Sequence, residues 1–109
     1  MARVALLNAL HDPDQGVREA AGSAFQFWNN HLDQVVAGLT EALSDPMAGV
    51  RGNAATSLGN FGVNAKAAVP DLLKLLGDTN SYVSGTVGDR VAMMLVKIDA
   101  EAAKTAGVK

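Results

Sequence analysis

A chain of 109 residues with nine Lys or Arg against eleven Asp or Glu, and a formal charge of -2, has the size of one small domain. That leaves no room for a second catalytic domain, and basic residues spread from Arg3 to Lys109 do not make the clustered positive charge of a nucleic-acid footprint. Hydrophobic residues are 49% of the sequence but aromatics only 5%, and cysteine is absent, so a core of closely packed Ala, Val and Leu must hold the fold without disulfides or thiolate metal sites.

In chain order, a first helix is predicted over about 2 to 11, with Val4, Leu6, Leu7 and Leu10 as its apolar residues. It looks shortened and uncapped, and Met1 to Leu10 lacks the apolar core of a secretion signal. A second helix over 13 to 29 starts at Asp12-Pro13, where a carboxylate can cap free backbone N–H groups and Pro fits the first helical position; Gln15 is a candidate capping-box partner. The third helix, 31 to 44, carries a stripe of Leu32, Val35, Val36, Leu39 and Leu43. Asp45-Pro46 opens the fourth, 46 to 60, and Phe61 to Asn64 forms a turn. The fifth, 66 to 77, tolerates Pro70 if it starts near Val69 and bends if it starts at Lys66. A sixth helix is predicted over 80 to 98, and a short last segment over 100 to 104, capped by Asp99 and ended by Gly107.

These elements repeat every 33 residues. Leu6, Leu39 and Leu72 fall in register, as do Leu10, Leu43 and Leu76, then Asp12, Asp45 and Asp78, Val17, Val50 and Val83, Ala21, Ala54 and Val87, and Phe25, Leu58 and Val91. The matched positions lie on one face of a helix, so each unit is a helix, a tight turn and a helix. Aligned from its end, the third unit instead matches the second at an offset of 37, Ala92 to Leu95 against Ala55 to Leu58. Four extra residues are about one helical turn, which predicts a longer final helix. The fold class expected is all-α, a single domain 1–109 built as an α-solenoid of three helical hairpins, with units about 1–30, 31–63 and 64–99 and a C-terminal segment 100–109.

Asp12-Pro13, Val17-Arg18, Ala20-Ala21 and Ala24-Phe25, echoed by Asp45-Pro46, Val50-Arg51, Ala54-Ala55 and Leu58-Gly59, resemble the HEAT-repeat superfamily, in particular the bacterial phycobilisome-lyase-like subclass. The third unit departs from this pattern, with Ser84 in place of the expected Arg. The resemblance implies a right-handed superhelix with first helices convex and second helices concave, and Asp12, Asp45 and Asp78 bridging units through Arg18 and Arg51. Read from the residues alone, those aspartates are helix caps and any pairing with the arginines is an exposed bridge worth about 0 to 1 kcal/mol.

No catalytic arrangement stands out. His11 and His31 fall at helix ends without a His-Glu-x-x-His spacing, Asp12 and Asp14 sit where a helix dipole favours acids, and neither a Gly-x-Ser-x-Gly elbow nor a phosphate-loop glycine pattern occurs. No enzyme activity, metal or cofactor is expected. The expected function is non-catalytic protein–protein interaction or scaffolding by the outward side of the second helices, through Glu19, Ser23, Gln26 and Asn30, then Asn53, Thr56 and Asn60 beside Gly52, then Asp89 and Arg90 with Met93. The partner would be a protein or peptide, with no nucleic acid and no membrane, in the cytoplasm. The alternatives are a lyase-like or chaperone-type protein handling a cofactor, and a homodimer or fragment of a longer array that self-associates through open terminal repeats. Trp28 is assigned to the core between repeats, with Phe61 and Met94 as its equivalents, and Gly22, Gly38, Gly52, Gly85 and Gly88 to close helix packing.

Overall fold

The computed structural model describes residues 2–108. The first hairpin is α1 (Ala2–Ala9) and α2 (Gln15–Ala24), the latter drawn out by a 3-10 turn over Phe25–Phe27. The second is α3 (Leu32–Ala42) and α4 (Ala48–Asn60). In the third, a 3-10 segment Gly62–Ala68 runs into α5 (Val69–Lys74), and a two-stranded antiparallel pair, β1 (Ser81–Tyr82) and β2 (Gly85–Thr86), leads into α6 (Val87–Ile98). A closing helix, α7 (Ala100–Thr105), packs back on α6 with Ala103 buried.

The second helices α2, α4 and α6 lie side by side as one row, while α1 packs on α2, α3 on α4, and α5 on α6. The molecule measures 39 × 28 × 19 Å, and the short dimension is two helix diameters of about 10 Å, as two layers of helices require. Between the layers lie Leu39, Leu72, Val50, Leu58, Val91 and Leu95, all with no exposed surface. Each such side chain contributes about 1.5 to 3 kcal/mol relative to an exposed one. The architecture is therefore an all-α helical solenoid, as the periodicity predicts.

The structure corrects several local expectations. The aspartates of the repeat do not cap the second helices. Instead Asp12, Asp45 and Asp78 each fold the turn, accepting the backbone N–H two residues on from Asp14, Met47 and Asn80 at 2.8, 2.9 and 3.0 Å. The α2 cap is Asp14, whose carboxylate accepts the N–H groups of Gly16 and Val17, and Met47 precedes α4 without a side-chain cap. Gln15, expected as a capping-box partner, bonds Glu19 at 3.2 Å instead. Asp99 does cap α7, accepting from Ala102 N–H at 3.1 Å, and Gly107 follows that helix at φ 87.

The final helix is not longer. The four extra residues of the third unit are spent on the β1–β2 hairpin before α6 begins, because Asp78 accepts backbone bonds that turn the chain, and Thr86 and Asp89 then form a capping box that starts the helix at Val87. The offset of 37 thus governs all of α6. Val50, Ala54, Leu58 and Phe61 correspond to Val87, Val91, Leu95 and Ile98, each buried, whereas Val83 stands 78% exposed at the hairpin tip. The third-unit equivalent of Trp28 is consequently Ile98 rather than Met94. The fifth helix starts at Val69, with Pro70 in its first turn, and its expected opening residues from Lys66 belong to the 3-10 segment.

Candidate functional site

A ladder of polar contacts joins the loops of the three units. Arg18 donates from Nε and Nη2 to both oxygens of Asp45 at 2.8 and 3.2 Å, and from Nη1 to the carbonyls of Asp12 and Pro13. Arg51 repeats this one unit later, donating to both oxygens of Asp78 at 2.8 and 3.3 Å and to the carbonyl of Asp45 at 2.8 Å. Both pairs are mostly shielded, with side-chain exposures of 13% and 9% for the first and 10% and 9% for the second, so they are not the solvated bridges that residue types alone suggest. The hydrogen bond and charge of Asp45 raise the Arg18 pKa above its ordinary value. For Asp78, burial pushes the carboxyl upward, but the bonds from Arg51 and Asn80 and the Arg51 charge outweigh it and hold the group below the usual aspartate range.

The third unit lacks an arginine for the next rung, and the structure shows what replaces it. Gly88 occupies the helix position equivalent to Arg51, and its backbone N–H donates directly to the Asp78 carbonyl at 2.9 Å. A side chain would not fit, since a Cβ there would overlap the carbonyl oxygens of Leu76 and Asp78.

Above this ladder lies the outward side of the second-helix row. Ser23 and Asn30 are exposed, and Gln26 accepts from Asn60 Nδ2 at 3.2 Å across the joint of α2 and α4. Asn53 donates to the Glu19 carbonyl at 2.8 Å, and Ser57, fully buried, donates to the Gly22 carbonyl. The joint of α4 and α6 is closed differently. The ring of Tyr82, carried by β1, lies so close on Gly52 that a Cβ there would overlap it, and Met94 occupies the same place over Gly59. The Tyr82 hydroxyl donates to Asn53 Oδ1 at 2.6 Å and lies 3.4 Å from Thr56 Oγ1, while the Arg90 guanidinium sits 5.5 Å from its ring centre.

The structure thus draws Asn53, Thr56 and Arg90 together around Tyr82, keeps Gln26 with Asn60, and leaves Ser23 and Asn30 apart as exposed positions on the same side. Asp89 is engaged in the α6 capping box and, with Tyr82, Ser84, Thr86, Arg90 and Met93, lines a cavity of about 130 Å³. Tyr82 was missed by the sequence reading. The signal was the four-residue insertion together with Gly52, a notch with nothing in its own helix to fill it. At the hairpin tip Val83 adopts φ 55, a left-handed conformation that a β-branched residue rarely takes.

The histidines stand elsewhere. His11 Nε2 pairs with Glu41 at 3.4 Å on the first-helix side, both groups exposed, and His31 precedes α3 at φ 51 without a capping bond. Trp28 is half-buried, edge-on to Phe25 at 5.3 Å between ring centres, and its indole N–H is buried with no partner among the described residues. Among the described residues no group of three potential ligands could hold a metal ion, and no helix is long and apolar enough to cross a membrane.

No curated protein matches the chain. The family model of HEAT repeats matches it twice, over residues 3–88 and 36–106, and the two overlapping matches span all three hairpins and the Asp–Arg ladder between them. The chain therefore belongs to the HEAT-repeat family.

Proposed function

We propose that this chain is a non-catalytic interaction module that holds an extended peptide across the outward side of α2, α4 and α6, with the β1–β2 hairpin as its anchor point. HEAT repeats serve in general as protein-interaction and scaffolding modules, and the phycobilisome-lyase-like character of the Asp-Pro and Val-Arg motifs belongs to this reading. The observation that carries it is the Tyr82 patch. An aromatic ring fixed by Gly52 and Asn53, a guanidinium over that ring, and an exposed Val83 held at positive φ give three different chemistries in one place.

Backbone strain at an exposed tip is a cost that packing does not repay, which favours a role in recognition. The adjacent cavity of about 130 Å³ has room for a side chain, well below the roughly 300 Å³ at which small-molecule pockets begin. Arg90 favours a peptide bearing a carboxylate at that point, and Ser23, Gln26 and Asn60 offer hydrogen bonds to its main chain further along. The test is a peptide array probed with the chain and with a variant carrying Ser23→Arg, Val83→Asp and Arg90→Glu, its helicity checked by circular dichroism. Acidic peptides bound by the parent and lost by the folded variant are the expected result. Equal binding by both removes this face from consideration.

A further inference from the structure

The notch that Tyr82 fills is walled by groups that belong to the helices, not to the hairpin. Gly52 forms its floor, Asn53 and Thr56 form its far end on α4, and the Arg90 guanidinium of α6 lies 5.5 Å from the ring centre. Both polar groups of α4 are oriented by bonds that do not involve Tyr82. Asn53 Nδ2 donates to the Glu19 carbonyl at 2.8 Å, which turns Oδ1 toward the notch. The Thr56 hydroxyl donates to the Gly52 carbonyl at 3.0 Å, which leaves its oxygen lone pairs for the notch. The far end therefore offers acceptors and no donor. A phenol suits it because its O–H can donate. A methyl ether has no hydrogen to give, and a phosphate ester sets anionic oxygens against two acceptor oxygens.

The occupant, by contrast, is carried on a short strap. The Asn80 carbonyl accepts from Val87 N–H at 3.0 Å and the Asp78 carbonyl from Gly88 N–H at 2.9 Å, and Thr86 belongs to the α6 capping box, so both ends of the strap are fixed. Between them Ser81, Val83, Ser84 and Gly85 are exposed, and Tyr82 is the residue packed against the core. The two strands are of two residues each, and lifting them gives back the strain stored at Val83. Neither α5 nor α6 has to unwind for Tyr82 to leave.

We infer that the Gly52 notch is a binding site for a tyrosine side chain of a partner protein, with Tyr82 as its resident competitor. The argument for that occupant is the notch itself: a flat floor without a Cβ, a cation beside the ring, and a far end that accepts a phenol O–H and nothing anionic. A partner segment enters by exchanging its phenol for that of Tyr82 while the strap swings outward. Because Tyr82 is tethered, its effective concentration at the notch is on the order of millimolar, so an incoming tyrosine prevails when the rest of its chain adds contacts along the row. The inference goes beyond the peptide reading above, which concerns the hairpin in its closed position, and does not depend on it.

Tyr82→Ala empties the notch without touching its walls. N-acetyltyrosine amide titrated into this variant, followed by NMR of the α4 amides, is expected to bind saturably with a Kd on the order of 1 mM. Its O-methyl and O-phospho derivatives bind at least about tenfold more weakly, because the site is built to receive an O–H. The parent chain, with Tyr82 seated, binds N-acetyltyrosine amide about tenfold more weakly than the variant. Tyr82 is the single tyrosine of the chain, so fluorotyrosine labelling gives one fluorine resonance that reports its seat in the parent. N-acetyltyrosine amide at about 50 mM is expected to draw out a second, released resonance, and the O-methyl derivative is not. A folded Tyr82→Ala that binds nothing, or binds all three compounds alike, overturns the inference. So does a parent resonance that stays single throughout the titration, and this fluorine measurement decides alone if Tyr82→Ala does not fold.

Discussion

The joint of α2 with α4 and the joint of α4 with α6 occupy equivalent places in the repeat and are built from different chemistry. The first is polar, with Asn53 and Ser57 donating to carbonyls of the preceding helix and Asn60 reaching Gln26. The second is a matter of shape, with Tyr82 and Met94 laid on Gly52 and Gly59. Below both, the loop contacts hardly vary: each repeat aspartate folds its own turn, and two of the three accept an arginine from the unit before. The comparison teaches that the loops hold the repeat spacing, which frees the helix faces to diverge. That freedom allowed the third unit to exchange an arginine for Gly88 and to gain a hairpin.

The sharpest way to break the comparison is at Gly88. Because a Cβ there meets backbone rather than a movable side chain, Gly88→Ala is expected to destabilise the chain by about 3 kcal/mol, while Gly59→Ala, facing the flexible Met94, costs about 1 to 2 kcal/mol. Urea unfolding of both variants measures the difference, and equal costs would mean that the α6 start can move. Next comes the ladder. Arg51→Ala leaves the shielded Asp78 carboxylate and the Asp45 carbonyl without their donor and is expected to cost about 2 to 3 kcal/mol. Since Arg18 holds the Asp45 carboxylate and Arg51 its carbonyl, the double variant with Arg18→Ala should deviate from additivity; strict additivity in a double-mutant cycle would show that the rungs are independent.

A smaller effect follows from protonation. Asp78 has its pKa lowered in the folded state, so its contribution is fully present above the unfolded aspartate value of about 4 and is lost as pH falls through that value toward the folded one. Asp78→Asn should therefore flatten the decline in urea midpoint between about pH 6 and pH 3, and an unchanged slope would assign acid sensitivity to other carboxylates. The smallest effect concerns the hairpin. Val83→Gly relieves the left-handed conformation and is expected to stabilise the chain by about 0.5 to 1 kcal/mol while weakening peptide capture, a combination that a purely structural loop would not show.

Much of the fold is legible in the sequence because it depends on spacing. Leucines that recur every 33 residues on one helical face have to be buried together, and Leu39, Leu43 and Leu72 are. The chain positions of the loops were equally readable from Asp12, Asp45 and Asp78, although what those side chains do was not. A carboxylate at a turn can accept from the turn or from the helix that follows, and here all three accept from the turn, Asp12 without an arginine on its carboxylate and Asp78 without a following proline. The candidate face was readable only in part. Asn53, Thr56 and Arg90 could be placed on one side of their helices, but their gathering around Tyr82 depends on a residue from another segment.

The third unit separates the two kinds of information most clearly. An offset of 37 instead of 33 is visible in the residues themselves, and a whole helical turn or a surface hairpin satisfies it equally well, because both return the apolar stripe to the core. The sequence by itself determined the repeat, the helix pairs, the buried stripe and the residues available for the ladder, since these follow from periodicities of one chain segment at a time. Only the tertiary structure decided that Gly88 stands in for an arginine, that the insertion becomes a hairpin, and that Tyr82 closes the last joint over Gly52. Each of these is fixed by the space left between segments far apart in sequence, and no property of either segment alone specifies that space.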